Sequence, residues 1–257
     1  MAMALASGCT PQGPTAAERR AEQQQKYRNQ LAAEYRTQHV TDSLMAVLIP
    51  QINKATQLGF EYEKTEYDEL GRFRPKGMDP ADHVMQTYMR CAVDDYGRKQ
   101  LIATYCGSKS FVVEQLRLQA ADGTSLTTAR IAPNDGSNYA YDIDGTHYQS
   151  VTFTFAGRIT EGMTQDSTLI ASADTDAGAL GFIAQHADDA KLTCYLIGQN
   201  GREQRVALSA KDRQSMAATY ELGQMLRESV RLQQENKTAG LKIQYLESRL
   251  SSSQPQE

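Results

Sequence analysis

Aromatic residues and glycines are concentrated in the middle of this 257-residue chain, and this uneven distribution constrains the fold more than any other feature. All six Phe, nine of the thirteen Tyr and fourteen of the eighteen Gly lie between Gly59 and Gly201. The stretches on either side are rich in Gln, Ala, Glu and Arg, which are good or acceptable helix formers. The sequence therefore predicts a β-rich centre between two helical segments.

Asx-Gly dipeptides recur through the central part and mark tight turns between short strands. They are Asp122-Gly123, Asp135-Gly136, Asp144-Gly145 and Asn200-Gly201. Such pairs favour the positive φ angles that two-residue hairpin turns require. Runs of strand character cover residues 89–93, 100–105, 116–118, 127–131, 139–143, 151–155, 181–184, 191–197 and 204–208. No helical crossover is spaced between these runs, so an antiparallel sandwich or open barrel is favoured over parallel βαβ units.

The segment 15–58 is predicted to be a helical stalk whose first half is mostly solvated. Thr15 followed by Glu18 fits a capping box, in which the two side chains satisfy orphan amides of the first helical turn. Pro50 is the only helix breaker in this segment and is expected to kink it, because proline cannot donate the intrahelical hydrogen bond. Thr41 offers a second helix start.

The segment 209–250 is predicted to be an amphipathic helix, and Ser209 with Asp212 gives it a capping-box start. Its seam has steps that alternate between four and three residues, the heptad spacing of a coiled coil. The seam consists of Ala218, Leu222, Met225, Ser229, Leu232, Asn236, Ala239, Ile243, Leu246 and Leu250. One interpretation is oligomerisation through Leu232, Asn236, Ile243, Leu246 and Leu250. The other is packing of the helix on its own domain, and the spacing does not decide between them.

These segments together predict an α+β fold. An antiparallel β-sandwich-like domain over residues 59–208 is flanked by the N-terminal helical stalk and the C-terminal amphipathic helix. Residues 1–14 are interpreted as a partial signal and tether, and residues 251–257 as a disordered tail.

A short apolar stretch at the N-terminus ends in Ala6-Ser7-Gly8-Cys9. It resembles the lipobox of bacterial lipoproteins, and the overall layout is similar to envelope lipoproteins of Bacteroidota-like bacteria. The resemblance implies lipid attachment at Cys9 and, with Thr10 rather than Asp next, an outer-membrane lipoprotein that faces the periplasm. The Pro- and Gly-containing residues 10–15 have the composition of a flexible tether. The alternative is an unmodified surface cysteine.

Composition and motifs argue against several functional classes. The net charge is −4 and no cluster of Lys and Arg is present, so no nucleic-acid partner is predicted. The histidines are His39, His83, His147 and His186, and none has zinc-ligand spacing. Asp142-Ile143-Asp144 opens like a calcium loop but lacks the later ligands. We therefore predict no catalytic residue, no metal site and no cofactor.

Three tyrosines form the candidate ligand-binding set. Tyr139 and Tyr141 share one face of a strand because side chains alternate along it, and Tyr148 follows the next turn. If Ile143 pairs with Thr146 across this turn, Tyr141 lies opposite Tyr148. Aromatic cross-strand pairs stabilise sheets without any ligand. An exposed set would instead be a surface for a ligand or partner.

Three further cysteines lie in the β-rich part: Cys91, Cys106 and Cys194. A hairpin that pairs Asp95 with Arg98 places Cys91 opposite Ile102, and Cys106 then lies about 13 Å further along the strand. That distance is beyond the reach of a disulfide. Cys194 could still pair with either of the other two across the domain, but the favoured interpretation is three small buried side chains.

The leading functional hypothesis is a membrane-anchored envelope protein with a non-enzymatic binding or scaffolding role, whose partner is a second copy or another envelope protein. Scaffolding predicts an exposed apolar stripe on residues 239–250. The alternative is a module that binds a small ligand or glycan through its tyrosine-bearing face, which predicts an aromatic-lined concavity. A hydrolase without a recognisable motif comes third and predicts a cleft where His and carboxylates converge.

Overall fold

Two long helices flank a set of short strands along the chain. The computed structural model describes residues 15–66, 69–83, 85–128, 130, 138–155 and 178–252. The helices are α1 (Ala16–Gly59), α2 (Ala179–Gln185) and α3 (Ala210–Ser252), and Pro80–His83 and Gln199–Gly201 form short 3-10 helices. The strands are β1 (Phe60–Glu63), β2 (Arg72–Pro75), β3 (Tyr88–Asp94), β4 (Lys99–Gly107), β5 (Val113–Gln119), β6 (Ser125–Thr127), β7 (Asn138–Ile143), β8 (Thr146–Phe155), β9 (Thr193–Gly198) and β10 (Glu203–Val206).

The described strands form two antiparallel sheets. The first has six strands in the order β1-β2-β3-β4-β8-β7, and the second has four in the order β10-β9-β5-β6. Each strand pair is antiparallel, as expected for strands joined without helical crossovers. The predicted α+β fold, with an antiparallel β-sandwich-like domain between two helical segments, is confirmed.

The two sheets share one hydrophobic core. Along β4, Leu101, Ala103 and Tyr105 are buried in this core, and Leu116 of β5 and Leu196 of β9 belong to it from the second sheet. The sheets also meet through polar and sulfur atoms, since Val113 N donates to Gln149 Oε1 (2.7 Å) and the Cys194 thiol lies 3.0 Å from Met89 Sδ. Each fully buried leucine of this set contributes roughly 1.5–3 kcal/mol relative to an exposed one.

The long helices contribute to the core around the sheets. Met216 of α3 lies in the shared core. A second cluster joins both helices to the six-stranded sheet and consists of Ile52, Phe60, Val93, Leu222 and Leu226. Lys76 donates its ammonium to the carbonyl of Gln57 (2.7 Å), which satisfies a carbonyl that the last turn of α1 leaves free.

The chain divides into two compact units within its long helices. Unit 1 contains the chain up to Leu44 and from Gln233 onward, and unit 2 is Met45–Leu232. The predicted boundaries near residues 58 and 208 mark the end of α1 and the start of α3. The units divide elsewhere because each long helix contributes one part to unit 1 and another part to the core of unit 2.

Within unit 1, the two helical segments run antiparallel. Lys242 Nζ lies 3.0 Å from Glu34 Oε1, and Asn236 Nδ2 donates to Thr41 Oγ1 (2.9 Å). Residue numbers thus rise along α1 as they fall along α3. Tyr35 Oη donates to Glu247 Oε1 (2.6 Å), and this hydrogen bond raises the pKa of the tyrosine.

The heptad seam of α3 faces α1 in this unit. Ala239, Ile243 and Leu246 are buried, with at most 7% of each residue exposed. The less exposed residues of α1 also alternate by three and four: Gln24, Tyr27, Leu31, Glu34, Gln38 and Thr41. The exposed apolar stripe that self-assembly would place on residues 239–250 is therefore not formed by this seam.

The prediction that a second helix starts at Thr41 is wrong. The helix continues through Thr41, which is only 2% exposed, instead of starting again there. Thr41 Oγ1 donates to the carbonyl of Thr37 (3.0 Å), a bond compatible with a helix interior. Pro50 lies on an exposed position of the same helix, where water can satisfy the carbonyl that its missing N–H leaves free.

We expect the polar layer at Asn236 to stabilise the helical pair locally. Its amide donates to Thr41 Oγ1 and to Asp42 Oδ1 (2.7 Å), whereas Thr238 Oγ1 donates to the carbonyl of Gln234 in its own helix. Relative to Thr238→Ala, Asn236→Ala should lower local stability by about 1 kcal/mol. Amide hydrogen exchange of residues 233–250 would measure this difference. Equal exchange rates in the two variants would contradict the role of the layer.

Two local predictions differ from the structure. The run 181–184 was expected to be a strand but lies in α2, where Leu180 and Ile183 are buried at helical spacing. The β3–β4 hairpin was expected to pair Asp95 with Arg98. Instead, Asp94 N donates to Arg98 O (3.1 Å), which leaves a three-residue loop and places Cys91 opposite Leu101.

The carboxylate of Asp94 organises this loop. It is almost fully buried and accepts from the backbone amides of Tyr96 (3.0 Å) and Arg98 (2.9 Å), as well as from the Arg98 side chain. Asx side chains stabilise turns by such bonds to amides a few residues ahead. The hairpin is therefore three residues long because a buried side chain, and not an Asx-Gly pair, sets its geometry.

The described cysteines are unpaired. Cys91, Cys106 and Cys194 are all free thiols, and Cys91 and Cys194 are buried. Burial raises the pKa of Cys91 to about 12 and also raises the pKa of Cys194. Both thiols are therefore protonated at neutral pH, and the nucleophilic form of cysteine is the thiolate.

We expect iodoacetamide to leave Cys91 and Cys194 unmodified in the native protein near about pH 8, where a free cysteine is partly ionised. Cys106 is partly exposed and serves as the internal comparison. Peptide mass spectrometry, repeated after unfolding in guanidinium chloride, locates the label. Rapid labelling of Cys91 or Cys194 without denaturant would show that the core opens readily.

Candidate functional site

The β7–β8 hairpin carries the tyrosines predicted from the sequence. Asp144 and Gly145 both have positive φ, 48° and 76°, as the first and second central residues of a type I′ turn require. Ile143 pairs with Thr146, and the register places Tyr141 opposite Tyr148. The predicted pairing across this turn is confirmed. The other predicted turn, at Asp135-Gly136, falls outside the described residues.

Tyr148 lies half-buried on the six-stranded sheet. Its hydroxyl approaches Met85 Sδ (2.6 Å), and its cross-strand neighbour on β4 is Cys106. Tyr139 pairs with Ser150. The side chains of Tyr139 and Tyr141 are outside the described part of the structure.

Tyr148 belongs to the outer face of the six-stranded sheet, which we define by its described side chains. They alternate with inward-facing residues along β3 and β4, and the register adds Tyr148 of β8: Tyr88, Arg90, Ala92, Gln100, Ile102, Thr104, Cys106 and Tyr148. Ile102 and Thr104 are buried, and Tyr88, Arg90 and Gln100 are partly exposed. The face is thus mixed in character, with hydroxyl, amide and guanidinium groups beside the aliphatic Ala92 and Ile102.

The segment before β3 lies against one end of this outer face. The ring of His83 stacks on Tyr88 at a centroid distance of 4.8 Å, and Met85 contacts Tyr148. Thr87 connects the segment to β4 by two hydrogen bonds: its hydroxyl donates to Cys106 O and accepts from Cys106 N, each at 3.1 Å. Met85 has a φ of 63°, unusual for a residue with a side chain, and remains 61% exposed.

A histidine–carboxylate pair flanks the hairpin turn. His147 Nδ1 lies 2.8 Å from Asp142 Oδ1, and the two residues are cross-strand partners. The imidazole is largely buried, and its Nε2 has no hydrogen-bond partner within the described chain. An oriented imidazole is one part of a general base, but a base also needs a nucleophile within hydrogen-bond reach. The described residues supply none at Nε2.

Sequence reasoning missed the Asp142–His147 pair, although a signal for it was present. The predicted Ile143–Thr146 register already makes Asp142 and His147 direct cross-strand neighbours. The geometry becomes visible only when the turn chemistry is combined with the side-chain alternation of the two strands.

His186 lies in a different cluster that stabilises turns. Its Nδ1 is 2.9 Å from the carbonyl of Phe182, and its Nε2 is 3.4 Å from Thr124 Oγ1. The side-chain hydroxyl of Thr124 lowers the pKa of Asp122, and the backbone amides of Ala121 and Lys191 lower the pKa of Asp189. These carboxylates are held by turn amides, and no group of three metal-ligating side chains occurs among the described residues.

The residues predicted for oligomerisation are buried or half-buried within this chain. Leu232 is 1% exposed in unit 2. In unit 1, Ile243 and Leu246 are buried, and Asn236 and Leu250 are partly exposed. Cys9, the predicted lipid site, falls outside the described residues. No described helix is both long and apolar enough to span a membrane.

Comparisons with known proteins give no match for this chain. No family model, no curated protein and no solved structure matches it.

Proposed function

We propose that this chain is a lipid-anchored envelope protein, held in the outer membrane and facing the periplasm, with a non-enzymatic binding role. The observation that carries the binding role is the closed seam of unit 1. The apolar side chains suited to assembly, Ile243 and Leu246, are buried against a helix of the same chain. This seam is therefore covered, and we place the partner surface on the sheet domain, although α1 also exposes apolar side chains such as Val40, Leu44 and Val47.

The helical pair of unit 1 suits a spacer. Between Ala16 and Leu44, α1 rises roughly 42 Å, given the rise per residue of an α-helix. Because the pair is antiparallel, α3 runs back toward the N-terminal end of α1, and α1 extends past the end of α3 at Ser252. A lipid on Cys9, seven residues before Ala16, would attach at this end of the pair.

The anchor is tested by the chemistry of Cys9. The full chain, exported in a Gram-negative host, is expected to yield an N-terminal peptide that begins at an acylated Cys9 and to partition into the detergent phase of a two-phase extraction. Cys9→Ser is the matched control and should partition into the aqueous phase. An unmodified Cys9 peptide from a correctly exported protein would contradict the anchor.

The binding role is tested against self-assembly by light scattering. A soluble form that begins at Thr10 is expected to be a monomer, because its seam is already covered. A truncation after Met225 is unsuitable as a control, since it also removes Leu226 and Leu232 from unit 2. A stable dimer at micromolar concentration would favour scaffolding through a second copy instead.

A second candidate is recognition of a small polar ligand or glycan on the outer face. It is favoured by the confirmed Tyr141–Tyr148 register and by the partly exposed Tyr88, Arg90 and Gln100 beside it. Tyr148→Ala should weaken binding of such a ligand in a glycan-binding assay. Tyr195→Ala on the four-stranded sheet is the matched control.

A further inference from the structure

Met85 is the most exposed of the described methionines and has an unusual backbone conformation. It is 61% exposed and has a φ of 63°. The other described methionines are partly exposed, as Met45 and Met225 are, or buried, as Met78, Met89 and Met216 are. Because oxidants in solution react with the side chains that they can reach, Met85 is the described methionine most open to oxidation.

The thioether of Met85 contacts the outer face through Tyr148. The hydroxyl of Tyr148 donates to Met85 Sδ at 2.6 Å, and Tyr148 lies on β8 opposite Cys106 of β4. A thioether sulfur is a weak acceptor. This hydrogen bond therefore restrains the Met85 side chain less than a bond to an oxygen acceptor would.

The backbone next to Met85 is held by hydrogen bonds of its own. Gln86 N donates to His83 O at 3.1 Å, and the hydroxyl of Thr87 bonds to both backbone groups of Cys106. Methionine has three rotatable side-chain bonds, so it adapts to a changed neighbour without movement of the main chain. The sulfur of Met85 can therefore change chemically while its backbone stays beside the sheet.

We propose that Met85 is a site of reversible oxidation, at which a hydroperoxide converts the thioether to a sulfoxide and strengthens the contact with Tyr148. The sulfur lone pair attacks one oxygen of hydrogen peroxide, so that an S–O bond forms, the O–O bond breaks and water leaves. Sulfur is oxidised and the peroxide is reduced. The sulfoxide oxygen, which is polar, then replaces the sulfur as the acceptor for Tyr148 Oη. Oxidation at this site does not depend on the binding role proposed above.

The site of oxidation is tested by treating the full chain with dilute hydrogen peroxide at about pH 5, where cysteine is protonated and a poor nucleophile. Peptide mass spectrometry over time should find the added oxygen on Met85 before it appears on Met45 or Met225. Methionine sulfoxide reductases of both stereochemical types should together remove it. Oxidation of Met45 or Met225 ahead of Met85 would overturn the assignment of the site.

Amide hydrogen exchange at Gln86 supplies a readout that exposure of Met85 alone would not change. In the oxidised chain this exchange should slow by about fivefold, because a stronger side-chain hydrogen bond restrains the turn that the amide belongs to. Tyr148→Phe keeps the aromatic ring but removes the donor, so its oxidised form should show no slowing. Met85→Leu, treated with peroxide in parallel, should show none either, and it controls for oxidation elsewhere.

Two further results would overturn the strengthened contact. Unchanged or faster exchange at Gln86 after oxidation of Met85 would show that the sulfoxide does not bind the hydroxyl of Tyr148. Equal slowing in the unmodified chain and in Tyr148→Phe would show that the sulfoxide acts through another donor.

Discussion

Replacing Gly97 by alanine is expected to lower the free energy of unfolding by roughly 2–5 kcal/mol, the largest effect among the substitutions considered for this chain. Gly97 has a φ of 76° in the β3–β4 loop. An added Cβ would lie 2.4 Å from the carbonyl oxygen of Gly223 and 2.7 Å from the backbone nitrogen of Arg227.

The size of this effect follows from what the Cβ meets. Both nearest atoms belong to the backbone of α3, which cannot rotate away as the end of a flexible side chain can. The loop must move off the helix or the helix must shift, and Leu222 and Leu226 bind that helix to the second core cluster. The strain of the left-handed conformation adds to the clash.

Gly123→Ala is the matched control for Gly97→Ala. Gly123 also has a positive φ, 90°, but an added Cβ would meet no atom within 4 Å. It should therefore lose only the conformational part, about 1–2 kcal/mol. Denaturant unfolding followed by circular dichroism measures both variants. Equal losses would contradict close packing of the loop on α3.

The second large effect concerns two glycine-to-alanine substitutions in α3, which should change the stability of the protein in opposite directions. Glycine is unfavourable inside a helix, so alanine normally stabilises by roughly 0.5–1 kcal/mol. Gly240→Ala should do so, because the nearest atom, Gln38 Nε2, is 3.9 Å from the added Cβ. Gly223→Ala should instead destabilise by about 1–2 kcal/mol, since overpacking exceeds the helix gain.

Lys99 is the reason for the difference between these glycines. A Cβ at Gly223 would lie 2.8 Å from both Cγ and Cε of Lys99, whose side chain is fully buried. The Lys99 ammonium lies 4.7 Å from the ring centroid of Tyr220, a cation–π geometry that fixes the end of the side chain. The lysine stem therefore has little room to yield.

Thermal and denaturant unfolding of Gly223→Ala, Gly240→Ala and the unmodified chain test this pair. The expected order of stability places Gly240→Ala above the unmodified chain and Gly223→Ala below it. Stabilisation by both substitutions would show that Lys99 repacks freely. In that case, the contact between β4 and α3 would not depend on the glycine.

The two hairpins differ in whether the turn residues alone were enough to predict the strand register. At Asp144-Gly145 the residue pair itself adopts positive φ angles, so the register of β7 and β8, including Tyr141 opposite Tyr148, followed from two residues. At the β3–β4 loop the prediction was one residue out. Its register depends on the buried carboxylate of Asp94, and burial cannot be read from a dipeptide.

The candidate site was predictable only in part. Sequence alternation placed Tyr148 on a strand beside Tyr141, but the contact of Met85 with its hydroxyl comes from a residue 63 positions away. No sequence pattern marks Arg90 or Gln100, because whether a polar side-chain atom has a hydrogen-bond partner depends on the residues that surround it in the fold. The strand prediction for 181–184 failed for a related reason, since a short apolar run fits either period and tertiary burial decides.

The sequence by itself determined the two long helices, most of the strands and the antiparallel character of the sheets, since these depend on local periodicity, capping and turn residues over a few positions. The heptad seam of α3 was equally visible. Only the tertiary structure decided which surface covers that seam. Spacing specifies an apolar stripe but not its partner, and the hydrogen bond from Asn236 to Thr41, 195 residues apart, identifies α1 of the same chain.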